Sequence, residues 1–222
     1  PTVVPNNGEM ITEAVRGNGA ILVNQDGKRF INELQTRDVV SAAELKQPGK
    51  VGYLVFDTAT RKSLKAIETY IKKGLVTEGT TLDELADKLK INAANLKATM
   101  EQYAKFQADK KDAEFGRADM PRPLTEGPWF AVQVTPAVHH TMGGLRINTE
   151  AQVLDKKGHV IPGLFAAGEV TGGVHGANRL GGNAMADIVT FGRIAGRNAA
   201  EQPTGVIVPR GQKPEDAEKA AV

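Results

Sequence analysis

The stretch GEVTGGVHGANRLGGNAMADIVTFGRIAGRNAA, residues 168–200, constrains this chain more than any other. Glycines 172, 173, 176, 181 and 182 follow a strand-like run that ends at Glu169, and they admit positive φ angles, so the main chain can come close to a ligand. The stretch then becomes a helix whose small positions, Ala184, Ala186, Gly192, Ala195, Gly196 and Ala199, suit tight packing on a neighbour. Asn183 is a good cap for that helix. The helix start offers unpaired N–H groups and a positive dipole end to a ligand that is anionic or becomes so, as a reduced flavin does. A plain loop with Arg179 as a surface cation is the other reading these residues allow.

Two further clusters carry chemistry. HHTMGG, residues 139–144, follows a strand, and its adjacent histidines could orient a carboxylate or oxyanion, ligate a metal, or be polar loop residues. No Asp or Glu stands at metal-ligand spacing to them, which disfavours zinc. MITEAVRGNG and LQTRDV supply Thr12, Glu13, Arg16 and Arg37. A glutamate between arginines is compatible with a structural salt bridge or with a proton relay, and spacing does not choose.

The remaining pattern gives the frame. The 222 residues, 41% hydrophobic, suffice for one large or two small domains with a real core. Lys and Arg are mixed with Asp and Glu for a net charge of +2, so neither a nucleic-acid face nor a polybasic membrane patch is expected, and small anionic partners stay open. With no cysteine, disulfides, thiolate metal sites and c-type haem attachment are excluded within the chain. No apolar run reaches the roughly 18–20 residues of a membrane span, and the start, PTVVPNNGEM, lacks a leader and an initiator methionine, as a processed or excised end would. AILVNQDGKRF reads as two short strands about a turn, VGYLVFD as a buried strand, TRDVVSAAELKQ as a helix, and 61–75 as one amphipathic helix ending at Gly74. Thr81 and Glu84 form a capping-box pattern, and Leu96, Met100, Tyr103 and Phe106 make the core stripe of a longer helix. MPRPLTEGPWF marks a boundary near residue 125, after which come a β-rich segment, a hairpin around 156–158 and a buried strand GLFAAGE.

Taken together, TEAVRGNGAILVNQDGKRFINE, HHTMGG and GLFAAGEVTGGVHGANRLGGNA closely resemble the soluble flavocytochrome c-type fumarate reductases, within the wider fumarate reductase and succinate dehydrogenase flavoprotein family. The likeness covers nearly the whole chain apart from the tail. It implies an FAD domain interrupted by a mobile capping domain, with the active site between them. The expected architecture is therefore an α+β capping domain over 1–125, the C-terminal part of an α/β, Rossmann-like FAD-binding domain over 126–205, and a polar tail over 206–222. The half of the FAD domain with the dinucleotide fingerprint, and a substrate-binding histidine ahead of PTVVP, are expected to lie outside the chain, so the chain by itself should bind FAD weakly or not at all.

The resemblance also assigns roles. His139 and Arg179 correspond to carboxylate-binding residues, and Thr12, Glu13 and Met10 to those around the other end of the substrate. Arg37 corresponds to the arginine that protonates the substrate, with Glu13 and Arg16 as its relay. Glu169, Gly168, His140, Asn183, Ala184 and Arg179 correspond to cofactor contacts, and Thr141, Met142, Gly143, Glu169 and Thr171 to a structural sodium site of some relatives. The implied reaction is reduction of fumarate to succinate in anaerobic respiratory electron transport. Its electron donor, a haem c domain or another module, would lie outside the chain. Urocanate or methacrylate reduction, or a non-catalytic folded fragment, is the alternative. A periplasmic location is implied, with the cytoplasm as the other possibility.

Overall fold

The strand read from VGYLVFD is the centre around which the first half is built. In the computed structural model, which describes residues 2–202, the chain divides into units of residues 1–138 and 139–222. The first opens with β1 (Thr2–Val3), β2 (Met10–Ile11), α1 (Ala14–Gly17), β3 (Ile21–Val23) and α2 (Arg37–Leu45). It continues through β4 (Gly52–Asp57), α3 (Thr58–Ser63), α4 (Lys65–Lys72), β5 (Thr77–Gly79), α5 (Leu82–Leu89), α6 (Ala93–Ala108) and β6 (Trp129–Pro136). All strand pairings in it are antiparallel, in the order β2-β1-β6-β4-β3, with β5 also on β6. Strand β6 is the spine: β4 pairs along residues 129–134, and β1 and β5 divide the opposite edge.

Every residue of β4 is buried, because helices cover both sheet faces. Alternate side chains go to opposite faces. Tyr53 and Val55 join a core with Leu85 of α5 and Leu96, Met100 and Tyr103 of α6, while Leu54 and Phe56 join another with Val15, Val40, Ile67 and Tyr70 of α1, α2 and α4. The stripe read on α6 is thus core, with Phe106 at its margin. The Thr81 hydroxyl accepts from the Glu84 N–H, and the Glu84 carboxylate accepts from the N–H of Thr80 rather than Thr81.

Three expectations change. The divide falls between Val138 and His139 instead of near 125, because the segment after the proline-rich crossing returns as the middle strand of the first unit's sheet. The single helix over 61–75 is two, broken at Leu64, which is extended (φ −137°); the Ser63 hydroxyl there lies within bonding distance of the Thr60 carbonyl (2.7 Å) and the Asn18 side-chain oxygen (3.2 Å). The second strand of AILVNQDGKRF shrinks to one bridge, Val23 with Arg29.

The second unit contains β7 (Gln152–Leu154) and β8 (Val160–Phe165), paired antiparallel as the expected hairpin, and the long helix α7 (Asn183–Glu201). Among its described residues the parallel pairing is a single bridge, Leu145 with Thr171. The run GLFAAGE, expected to be buried, is buried only at Ala166 and Gly168: Leu164 is 43% exposed, and beyond the run Val170, Leu180, Met185, Ile188 and Val189 are exposed as well. Apolar content predicts a core strand, but among the described residues Leu164 is left uncovered. The expected tail, 206–222, lies outside the described residues. No described helix is long and apolar enough to cross a membrane.

Candidate active site

In the first unit the structure brings Glu13, Arg16 and Arg37 together. Glu13 immediately precedes α1, Arg16 lies within it, and Arg37 opens α2. Arg37 Nε donates to Glu13 Oε1 at 2.6 Å, a contact that offsets the placement of a cation at the positive end of α2. Burial works to raise the pKa of Glu13, but the Arg37 hydrogen bond and the Arg37 and Arg16 charges hold it below the usual carboxylate range. Arg16 is only 3% exposed, and burial lowers its pKa despite the opposing charges of Glu13, Glu44 and Glu33. Glu13 is thus a carboxylate held ionised beside two guanidiniums.

Thr12 and Met10 flank this cluster differently. The Thr12 N–H donates to the Tyr70 hydroxyl at 3.1 Å, and its side-chain oxygen accepts from the Ala14 N–H at 3.4 Å. Met10, on β2, is 46% exposed.

Behind Arg16 stands a buried network that sequence reading missed. Glu33 Oε1 accepts from Arg29 Nε (2.8 Å) and the Leu22 N–H (3.2 Å), and Oε2 accepts from Arg29 Nη2 (2.8 Å) and Arg117 Nη1 (3.1 Å). Asp112 takes a further bond from Arg29 at 2.9 Å. Burial tends to raise the Asp112 carboxyl, but Arg29 and neighbouring backbone N–H groups keep it low. Arg117 then donates to the carbonyls of Arg16 (2.7 Å) and Ala20 (3.0 Å), fixing the backbone that carries Glu13 and Arg16. The spacing of Arg29 and Glu33, four residues, was a local signal; Asp112 and Arg117 offered none.

In the second unit Arg179, 8% exposed, places Nη2 3.3 Å from His139 Nε2. Arginine only donates, so a hydrogen bond between these two groups has His139 Nε2 as its acceptor. The convergence of a planar fork and an imidazole suits a carboxylate. His140 faces Glu169, Nδ1 to Oε2 3.8 Å, and lies edge-on to His175, whose Nε2 is 2.9 Å from Asp187 Oδ2; neither His175 nor Asp187 was foreseen.

Glu169 sits in the 3-10 turn Gly168–Val170 with its carboxylate 55% exposed. Gly168 has φ +79°, and a Cβ there would come within 3.1 Å of Ile188 on α7, so glycine lets this turn lie against the helix. The open glycines differ: a Cβ on Gly173, Gly176 or Gly182 would meet nothing within 4 Å, leaving their backbone accessible to a ligand. Together with the α7 start and the exposed Glu169 carboxylate, these features fit a flavin nucleotide. Asn183 departs from its expected capping role. It is the first residue of α7 and its amide donates to the Leu180 carbonyl at 3.5 Å, while Gly182, at φ +83°, takes the cap position because glycine holds that conformation without cost. Ala184 follows, half-buried.

The loops of the expected sodium site run side by side, joined by the N–H of Leu145 to the Val170 carbonyl (2.8 Å) and the N–H of Gly172 to that of Leu145 (3.0 Å). The Glu169 carbonyl already accepts from the Thr141 hydroxyl at 3.3 Å, and the Thr171 hydroxyl is engaged with the Gly168 carbonyl. Met142 and Gly143 complete that loop. Among the described residues no group of three or more His, Cys, Asp or Glu gathers as a metal site. A cavity of about 660 Å³ borders Gly143, Gly144, Gly172, Gly173 and Phe191, but not His139, Glu169 or Arg179.

Comparison with known proteins adds three findings. The family described as FAD binding domain matches residues 1–185. A fumarate reductase (cytochrome) of Shewanella frigidimarina is 54% identical over 90% of this chain and 35% of its own length, and an NADH:fumarate oxidoreductase of Klebsiella pneumoniae (strain 342) is 48% identical over 92% and 22%. The open conformation of a flavocytochrome c3 fumarate reductase superposes with a TM-score of 0.74 at 52% identity, covering 90% of this chain and 36% of that one. The chain thus spans about a third of the length of its cytochrome-type relative.

Proposed function

The chain belongs to the FAD binding domain family, and on that premise we propose that it is the substrate-reducing portion of an FAD-dependent fumarate reductase. The observation that carries the reading is the Arg37–Glu13 contact of 2.6 Å with Arg16 buried beside it, an arrangement that suits a proton path, in a chain that is 54% identical to a named fumarate reductase. Unit one takes the role of capping domain, and unit two that of the returning segment of a Rossmann-like FAD domain. The expected sodium ion would sit between the Thr141–Gly143 and Glu169–Thr171 loops.

Glu169 and the open glycine backbone, with Gly168, His140, Asn183 and Ala184, would hold FAD, which when bound supplies a hydride to one alkene carbon. Arg179 and His139 bind one substrate carboxylate, and Thr12 and Met10 border the other end. Fixed donors that draw charge toward a carboxylate favour the electron-rich transition state. Arg37 gives a proton to the second alkene carbon; Glu13 takes one from Arg16 and hands it on to Arg37, and Arg16 regains one from solvent. One hydride and one proton convert fumarate to succinate.

The relatives' names support two different electron sources, a cytochrome and NADH. The donor, and the periplasmic or cytoplasmic setting that goes with it, therefore belong to the proposal only through resemblance. The test is turnover with reduced viologen and saturating FAD. Fumarate should be reduced at least tenfold faster than urocanate or methacrylate by the protein carrying this chain, and Arg37→Ala should abolish it. Preference for urocanate would sink the assignment. If the 222-residue chain gains no flavin spectrum with added FAD, activity belongs only to a longer protein.

A further inference from the structure

Helix α2 gives a core position to an acid. Arg37, Val40 and Glu44 lie three, four and seven residues apart and share a face. Glu44 is 0% exposed, whereas the adjacent Leu45 is 52% exposed. A one-residue turn of the helix, about 100°, would bury the leucine and hydrate the carboxyl, so the observed arrangement runs against ordinary burial preference. Neither Oε of Glu44 accepts a hydrogen bond among the described residues, and Nε and Nη1 of Arg16 are likewise buried without an acceptor. The two charges act on one another through space without a direct bond.

We propose that Glu44 is a positioning residue for the Arg16–Glu13–Arg37 proton path: by holding or releasing a proton behind Arg16 it sets how readily Arg16 passes one to Glu13. The proposal rests on the proton-relay reading above. An ionised Glu44 stabilises the Arg16 cation and makes it hold its proton; a neutral Glu44 lets Arg16 release it. Burial pushes the Glu44 carboxyl up to about 7, with the Arg16 charge opposing. Among the described residues, Arg16 is the charge that acts on it. Strand β6 brings no charged residue to α2, the turn Pro48–Lys50 brings only the exposed Lys50, and the segment 13–16 brings Glu13 to Arg37 and Arg16 to Glu44.

The chain labelled with [δ-13C]glutamate reads this directly by NMR titration, with Glu44→Gln and Glu13→Gln assigning the signals. The Glu44 signal should titrate near neutral pH, and the Glu13 signal should show a step across the same range that disappears in E44Q. If E44Q does not fold, Glu44→Leu assigns the signal, and the wild-type spectra alone still give both midpoints. A Glu44 midpoint in the ordinary carboxylate range, or a Glu13 signal unmoved between pH 6 and 8, overturns the proposal. These spectra need no flavin and no turnover, so they fail independently of the fumarate assignment. In the flavin-loaded protein, reduction should decline severalfold on the alkaline side of the Glu44 midpoint, and E44Q should remove that decline. An unchanged pH profile in E44Q, even with the NMR step present, also overturns it.

Discussion

Replacing Glu33 with alanine removes the carboxylate on which Arg29 and Arg117 converge, two guanidiniums that are 5% and 1% exposed. Both would stay buried, Arg29 with Asp112 as its remaining carboxylate and Arg117 with carbonyls alone. Removing one partner of a buried ion pair costs about 3–5 kcal/mol. The first unit spans residues 1–138, and with an unfolding entropy of ~2.1 cal/mol/K per residue that loss lowers its Tm by about 10–17 °C. Calorimetry or circular dichroism with urea titration measures both quantities. Glu9→Ala is the control, because the Glu9–Lys73 pair is about half exposed and such pairs contribute under ~1 kcal/mol. A Glu33→Ala loss below about 1 kcal/mol would refute the reasoning, since it would mean that the arginines regain water freely. Because Arg117 also grips the Arg16 carbonyl, the variant should accelerate hydrogen exchange around residues 14–20.

Four more outcomes can be checked. The Glu44 pKa, raised from 4.5 to about 7 by burial, makes the folded state bind more protons than the unfolded one; stability should therefore fall as pH rises from 4.5 to 7, by roughly 3 kcal/mol at most, and Glu44→Leu should flatten that slope in pH-dependent urea melts. Asp112, held low by Arg29, contributes with the opposite sense: its stabilisation is present above about pH 4 and is lost as pH drops further, a limb that Asp112→Asn should remove from the same melts. Gly144→Ala would drive a Cβ into the Val170 carbonyl, so the Leu145–Thr171 bridge should open and the Leu145 amide should lose protection in hydrogen exchange. Arg179→Lys keeps the charge but loses the planar fork, and in a flavin-loaded protein the KM for fumarate should rise at least tenfold when compared at equal flavin occupancy, set by flavin absorbance.

What could be read from residues alone follows the range of the forces involved. The strand VGYLVFD and the Leu96, Met100, Tyr103 stripe were legible because burial imposes a short period on the chain itself. The break at Leu64 was not, because Asn18, which meets Ser63, is 45 residues away. Glu44 and Leu45 look reversed to any periodicity argument, and only the neighbourhood of Arg16 accounts for the choice. Proline and glycine near 125 signal a change of direction in the chain, and only the pairing of β6 with β4 shows that the crossing leads back into the same sheet. Within the candidate site, the spacing of Thr12, Glu13, Arg16 and Arg37 named a cluster without deciding between ion pair and relay. The pairing of His139 with Arg179 joins residues 40 apart and was accessible only through resemblance.

The position of β6 has a consequence for how the first unit can be made. Its residues 129–136 join β1 to β4, so the two ends of the sheet stay separate until the last strand has left the ribosome. Non-local pairing of this kind is slow to form. A gene cut at residue 125 would yield a chain with β1 and β4 each presenting a bare edge, the template on which copies add to one another. Extending the cut to residue 138 supplies the missing strand, and that is the shorter boundary at which this half should be expressed as a soluble piece.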